Sequence, residues 1–337
     1  MKHNWKNIAT VTLCLMGSAL EQTSCDIIDD DLSDCGKDYT VVYRMQLMTN
    51  MDDELNHVLD APADLPVSAA LRQELSTYFS DYGRDLDVSF YLTTADEARR
   101  HHAQHQMNGR EGQYTYYLAA EQYRNLVVAN AGQEPLVALV EDTLRQTARL
   151  QQERRDTVSG HTSHLYTGRQ TIDVPTTDTT IVVPLYMANS AVALTCDTTG
   201  YEIRSMQVFV EDMATAFNIN DSTYTYDQSP VVRTTDVRPT EGKTVGFYTR
   251  CFPSSAMPTR AYGDPEGSYY RVTALVGLAD GTVTRNVIYV YEPLRAGCLK
   301  VIKTKMDNEG AIEAVTAGVG VSVTLDWKPG GEYNPEL

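Results

Sequence analysis

The sequence predicts a mainly β protein with two successive antiparallel β-sandwich domains, the first of which carries a few helices. Hydrophobic and polar residues alternate along many short segments, as in strands with one buried face. Helical periodicity is confined to the first half of the chain. The 337 residues also exceed what one ordinary core accommodates, so we expect two domains.

The N-terminus has the layout of a lipoprotein export signal. A short basic head precedes an apolar run at 8–20, which is shorter than the about 20 residues that a transmembrane helix needs. Cys25 follows two small polar residues and precedes an acidic tract. We expect 1–24 to be a removed signal peptide, Cys25 to carry the lipid, and 25–37 to be an acidic tether. Ordinary secretion with an unmodified Cys25 is the alternative.

The first predicted domain comprises residues 38–187. Its first strand is the segment VVYRMQLM, in which Val41, Tyr43, Met45 and Leu47 share one face. Further strands are predicted at 87–92, 125–129 and 180–186.

Three helices are predicted in this domain. After Pro66, one helical stripe contains Leu71, Leu75, Tyr78 and Phe79, and Gly83 ends the helix. A capping-box pattern at 94–97 predicts a short helix. A further helix is predicted to open at Glu134-Pro135, with these residues on one face: Val137, Val140 and Leu144.

The second predicted domain comprises 188–328, and residues 329–337 form a flexible tail. Strands are predicted at 191–195, 205–212, 244–251, 269–278 and 284–291, with the hairpin signal Asp280-Gly281 between the last two. The final strand shows the clearest alternation, with one face formed by Val319, Val321, Val323, Leu325 and Trp327. This strand could simply close the second domain, or it could pair with the open sheet of another subunit.

The net charge of −17 restricts the partners. Such a field repels nucleic acid and anionic lipid headgroups, so we expect no nucleic-acid role. Membrane attachment must then come from acyl chains, each buried methylene of which contributes about 0.8 kcal/mol.

Four cysteines remain once Cys14 leaves with the signal and Cys25 is lipidated. They are Cys35, Cys196, Cys251 and Cys298. Exported proteins can form disulfides, and these residues allow three pairings. We favour isolated buried thiols, since none of them has the close spacing of a zinc or thiol-exchange site.

The segment RRHHAQHQM contains the most suggestive cluster for chemistry. On a helix, His101 and His105 would share a face as a metal pair does, with His102 between them. The glutamate of an HExxH motif is missing, so the prediction is a solvated helix face with no metal and no cofactor. A nucleophile elbow, a phosphate loop and a thiol-protease pattern are also missing from the sequence, so we expect no catalysis.

Several segments together resemble the FimB-type fimbrial anchor and minor-subunit lipoproteins of Gram-negative gut and mouth bacteria, which belong to the type V pili. The segment CDIIDDDLSDC, followed after three residues by the strand YTVVYRMQLM, is similar to the family's mature N-terminus. HLYTGRQTIDV and IVVPLYMANSAVAL match the family's domain junction, and VSVTLDWKPG matches its C-terminal strand and tail.

The resemblance implies two tandem transthyretin-like sandwiches and a part in cell adhesion. The protein would hold a fimbrium on the outer membrane and face outward, rooted by diacylglycerol and palmitate at Cys25. Sheet edges would bind the fimbrial stalk or accessory subunits. The rival function is a surface glycan-binding lipoprotein of a polysaccharide-uptake system. Sugar platforms use several exposed tryptophans, whereas Trp327 is the single tryptophan of the mature chain, so the anchor is preferred.

Overall fold

The computed structural model describes residues 37–48, 67–75 without 68 and 72, 84–94, 100–106, 113–143, 145–237, 243–258, 267–307, 309–315 and 319–324. The strands of the first half are β1 (Asp38–Met48), β2 (Asp85–Leu92), β3 (Arg100–Gln106), β4 (Gln113–Ala119), β5 (Gln122–Ala129), β6 (Val137–Asp142), β7 (Thr147–Gln152), β8 (Thr157–Ser159), β9 (Tyr166–Asp173) and β10 (Thr179–Met187). Those of the second half are β11 (Ser190–Asp197), β12 (Ile203–Glu211), β13 (Ala216–Asn218), β14 (Thr223–Thr225), β15 (Val231–Arg233), β16 (Thr235–Val237), β17 (Thr244–Cys251), β18 (Tyr270–Leu278), β19 (Val283–Val290), β20 (Leu299–Met306), β21 (Ile312–Ala314) and β22 (Val319–Thr324). The predicted mainly β class is confirmed, while the transthyretin-like detail stays a prediction.

A seven-stranded sheet has the order β3-β2-β5-β9-β10-β1-β4. The first strand lies inside it, since β1 pairs in parallel with β10 and antiparallel with β4. The sheet is therefore mixed, which alternation alone does not reveal.

One face of this sheet buries an aromatic core. The ring of Tyr43 packs edge-on against Phe90 and Tyr116, with centroids 5.8 and 5.5 Å away. The Tyr43 hydroxyl donates a hydrogen bond of 2.8 Å to Oδ1 of Asn125, which is itself buried. The alternation of β1 thus places Val41 and Tyr43 in the core, as predicted.

The other face packs against a four-stranded sheet of order β14-β13-β7-β6. Leu126 and Val128 of β5 share this core with Leu150 of β7 and Phe217 of β13. Strands from the second half of the chain therefore complete the first half's sandwich.

The second half forms a five-stranded sheet, β16-β17-β11-β20-β21, and a six-stranded sheet, β22-β19-β18-β12-β15-β8. Strand β11 separates two cores, because Ala191 and Ala193 face the first core whereas Val192 and Leu194 face the second. Strand β8 from the first half pairs with β15 in the six-stranded sheet. The halves thus exchange strands in both directions, and the division at 187/188 stays a proposal.

The predicted helix after Pro66 is present in the described residues 67–75. Its residues Val67, Leu71 and Leu75 are fully buried. A Cβ on Gly246 of β17 would lie 2.8 Å from Cγ2 of Val67, so the absence of a side chain there lets the helix pack against the sheet. The predicted continuation to Gly83 and the short helix at 94–97 lie largely outside the described residues.

The predicted helix from Glu134 is wrong, because this segment forms the β6–β7 hairpin. Its turn uses a hydrogen bond from the Arg145 amide to Oδ1 of Asp142 and a left-handed Gln146 with φ of 53°. Leu150 is fully buried in the core shared with the seven-stranded sheet. Sheet packing outweighs the helical spacing of the hydrophobic residues.

A buried polar seam, formed by Glu134, His161, His164, Asn189 and Arg250, lies where the two halves meet. Oε2 of Glu134 accepts hydrogen bonds from the amides of Thr162 and Ser163 at 2.7 and 2.9 Å. The Arg250 guanidinium donates to the Thr162 carbonyl at 2.7 Å. The loop between β8 and β9 is therefore held from two sides by charged groups.

Candidate subunit interface

Strand β22 contains the predicted partner-binding residues Val319, Val321 and Val323. It pairs antiparallel with β19, from Val319 opposite Val290 to Thr324 opposite Arg285. It stands at the end of the six-stranded sheet, so its second edge has no partner strand in the part of the chain that the structure describes. An unpaired edge is the template to which another strand can add.

Other predicted positions fall outside the described residues. Leu325 and Trp327, the last two residues of the predicted binding face, belong to this group, as do Cys25 and Cys35. Within the described ranges, no helix is both long and apolar enough to cross a bilayer.

The neighbouring strand β19 is fixed across the sandwich by a buried asparagine. Asn286 is fully buried and donates to the Gly310 carbonyl at 3.1 Å, while its Oδ1 accepts from the Ile312 amide at 2.9 Å. The Thr284 hydroxyl donates to the same Gly310 carbonyl at 2.8 Å. Gly310 has a φ of 78°, which suits glycine. These bonds position β19, the strand with which β22 pairs.

We expect Asn286→Leu to lower the free energy of unfolding by about 3 kcal/mol, because it leaves the buried Ile312 amide unpaired and weakens the bonding of the Gly310 carbonyl. Urea unfolding checks this. The control is Asn218→Ala, which removes a more exposed bond to Thr223 and should cost less than about 1 kcal/mol. Equal stability of the Asn286 variant and the wild type would contradict the role of Asn286 in fixing β19.

A second surface is the uncovered part of the seven-stranded sheet. Tyr186 and Val182 of β10 are 58% and 55% exposed, and Tyr117 of β4 is 63% exposed. Through β9, Tyr186 is in register with Val128, whose side chain lies under the four-stranded sheet. The smaller sheet therefore covers only part of this face and leaves two tyrosines in solvent.

A groove of about 440 Å³ lies where the uncovered face meets the small sheet. Its lining includes Thr167, Arg169, Tyr186, Phe217 and Tyr224. The Tyr224 hydroxyl donates to the Ala188 carbonyl at 2.7 Å, which fixes the hairpin β13–β14 beside the groove. Tyr224 is thus a structural residue here.

The histidine cluster lies on strand β3, so the helical interpretation is wrong. Paired with β2 at the sheet edge, the segment alternates sides. His101 and His105 contact Tyr116, with ring centroids 6.0 and 5.7 Å away. His102 instead lies within 3.0 Å of both carboxylate oxygens of Asp87. The segment forms a strand because it pairs with the edge of β2, although its residues have poor strand propensity. The local sequence pattern does not reveal this pairing.

Cys196 and Cys251 are buried free thiols, as the sequence suggests. Burial raises the pKa of the Cys196 thiol to about 11 and that of Cys251 to about 12. Both therefore stay protonated and unreactive at neutral pH. Cys298 is half-buried.

Comparison with known proteins agrees with the resemblance drawn from the sequence. The profile of the family described as fimbrillin-A associated anchor proteins Mfa1 and Mfa2 matches residues 80–283, more than half of the chain. A comparison with curated proteins finds no significant match.

Solved structures resemble this chain at low sequence identity. A candidate adhesin from Bacteroides ovatus is 11% identical with a TM-score of 0.51, over 88% of this chain and 96% of that chain. The fimbrial anchor protein Mfa2 from Porphyromonas gingivalis is 9% identical with a TM-score of 0.43, over 86% and 98%. The tip fimbrial protein Mfa3 from the same organism is 9% identical with a TM-score of 0.44, over 85% and 100%.

The family profile spans the seven-stranded sheet from β2 onward and most of the second sandwich. The chain belongs to the family of fimbrillin-A associated anchor proteins Mfa1 and Mfa2.

Proposed function

We propose that the protein is an outer-membrane surface lipoprotein that anchors a fimbrium or forms one of its minor subunits. The observation that carries this proposal is the edge strand β22, whose outer side lacks a partner strand among the described residues. Main-chain hydrogen bonds from a stalk or accessory subunit would extend the six-stranded sheet there. Family membership supports the fimbrial role. The protein acts by strand pairing and lipid tethering, without catalysis.

Single proline substitutions at two neighbouring positions of β22 test whether its outer edge binds another subunit. Consecutive amides of a strand point to opposite edges, so Ser322→Pro and Val323→Pro differ in which side loses its donor. We expect the proline on the outer side to abolish co-purification of small β-rich subunits while the unfolding free energy changes little. The proline on the inner side breaks the ladder with β19 and lowers stability.

The measurement is a pull-down of the tagged full chain from detergent-solubilised outer membrane, run on gels with and without boiling. A heat-sensitive ladder in the wild type, lost in the outer proline variant, is the expected result. A lone monomer in unboiled gels would overturn the anchor. Cys25→Ser tests the tether separately, since the variant should leave the membrane fraction without losing its fold.

Glycan binding is the second candidate, and the exposed Tyr117 and Tyr186 on one sheet face favour it. Aromatic rings in solvent can stack on sugars. Retarded migration on polysaccharide affinity gels, abolished by Tyr186→Ala, would support this function instead.

A further inference from the structure

Three side chains from three strands converge at one rim of the first sandwich. They are Asp87 of β2, His102 of β3 and Glu141 of β6, and one ligand atom of each lies within 4.8 Å of the others. The first two strands belong to the seven-stranded sheet and β6 belongs to the four-stranded sheet. A common ligand here would connect the two layers.

The distances suit a small cation. Nε2 of His102 lies 3.0 and 2.9 Å from the two carboxylate oxygens of Asp87. In a tetrahedral zinc site, with ligands at about 2.0–2.1 Å from the metal, neighbouring ligand atoms are about 3.3 Å apart. Shifts of a few tenths of an ångström would therefore admit the ion between His102 and Asp87, and the ligand atom of Glu141 lies within 4.8 Å of both.

A cavity of about 190 Å³ adjoins Asp87 and is also lined by Asp85 and Gln104. Asp85 is 8% exposed, and its Oδ1 accepts from the Gly132 amide at 3.1 Å. Its Oδ2 is buried and has no hydrogen-bond partner among the described residues. Burying an unpaired carboxylate oxygen is costly. A nearby cation, or a water bound to it, would offset that cost.

Outer contacts already orient the ligand side chains. Nε2 of Gln104 donates to Oδ2 of Asp87 at 2.8 Å. Ser89 and Arg100 both donate to Oε1 of Glu141. Such second contacts fix ligand orientation in metal sites.

We propose that Asp87, His102 and Glu141 bind one divalent transition-metal ion, for which zinc is the best chemical match. Imidazole combined with carboxylate oxygens favours zinc over magnesium or calcium, both of which prefer oxygen ligands alone. The fourth position would hold water from the adjoining cavity. The bound ion would fasten β3 at the sheet edge to β2 and β6. This proposal is independent of the subunit interface.

The test uses the untagged chain, stripped with a chelator and titrated with zinc chloride by calorimetry, together with thermal unfolding. We expect one zinc per chain, a raised melting temperature, and a loss of affinity of at least about tenfold in His102→Gln. Asp87→Asn should behave similarly. The matched control is His101→Gln, which lies on the opposite face of the same strand and should bind zinc as the wild type does.

Three results would overturn the site. They are no zinc uptake by the wild type, unchanged affinity in both ligand variants, or equal stabilisation by calcium or magnesium. His102 is exposed, so its replacement should leave the metal-free fold intact, and melting of the chelated variant checks this.

Discussion

Lowering the pH from 7 to 5 is expected to reduce the free energy of unfolding by about 4 kcal/mol, mainly through His161 and His164. Both rings lie in the polar seam and are almost fully buried. Burial, followed by the nearby positive charge of Arg250, lowers the pKa of each imidazole to about 3. Each ring is therefore neutral in the folded protein throughout this pH range.

The sign follows from proton binding. In the unfolded chain a histidine has a pKa of about 6.5, so it takes up a proton as the pH falls below that value. The folded protein does not take it up until near pH 3, so acid favours the unfolded state. Stability is full above pH 6.5 and is lost progressively toward pH 3. Burial also lowers the pKa of His105, which adds to the loss, whereas burial raises the pKa of Asp85, which opposes it at lower pH.

Urea unfolding at pH 7 and pH 5 measures the effect. His161→Gln and His164→Gln should each remove about half of the pH dependence, since glutamine does not titrate. The control is Asn218→Ala, which lies outside the seam, removes no histidine and should leave the pH dependence in place. An unfolding free energy that is independent of pH between 7 and 5 would show that His161 and His164 are not both neutral in the folded protein.

Replacing the seam carboxylate is expected to have a similarly large effect. Glu134→Ala should lower the free energy of unfolding by about 3–5 kcal/mol. The carboxylate accepts the amides of Thr162 and Ser163 and the Thr162 hydroxyl, at 2.7, 2.9 and 3.0 Å. Without it these donors lose their acceptor inside the seam.

Chemical denaturation at pH 7 compares this variant with Glu153→Ala. Glu153 is exposed and pairs with Arg155 at 2.8 Å, so its loss should change stability by less than about 1 kcal/mol. Glu134→Gln should fall between the two, since an amide oxygen still accepts but without charge. A Glu134→Ala variant as stable as the Glu153 control would show that water replaces the carboxylate.

The strands of the second half were predictable because their period of two is unambiguous. The predicted range 244–251 coincides with β17, and the predicted strands at 269–278 and 284–291 agree with β18 and β19 within one residue at each end. The hairpin between them forms at Asp280-Gly281, where Gly281 has a φ of 91°. The alternation that gives one buried face and the turn signal both lie in short stretches of sequence, so both can be recognised without knowledge of the tertiary structure.

The two wrong secondary-structure predictions share a cause. Val137 and Val140 fit a helical stripe, and the histidines of β3 show no strand preference, yet all of these residues lie in strands. What decides them is a partner distant in sequence, namely the edge of β2 for β3 and the core around Leu150 for the hairpin. Contacts between distant residues leave no local periodicity.

Residue order alone established the β class, most strand positions and the membership in a fimbrial family, because these depend on local alternation and short motifs. Tertiary structure alone decided which strands are neighbours, including the exchange of β8 and β13–β14 between the halves. It also brought Asp87, His102 and Glu141 together from three strands and buried two neutral histidines beside Arg250. The physical reason is that pairing and burial depend on surfaces that exist only after distant segments meet.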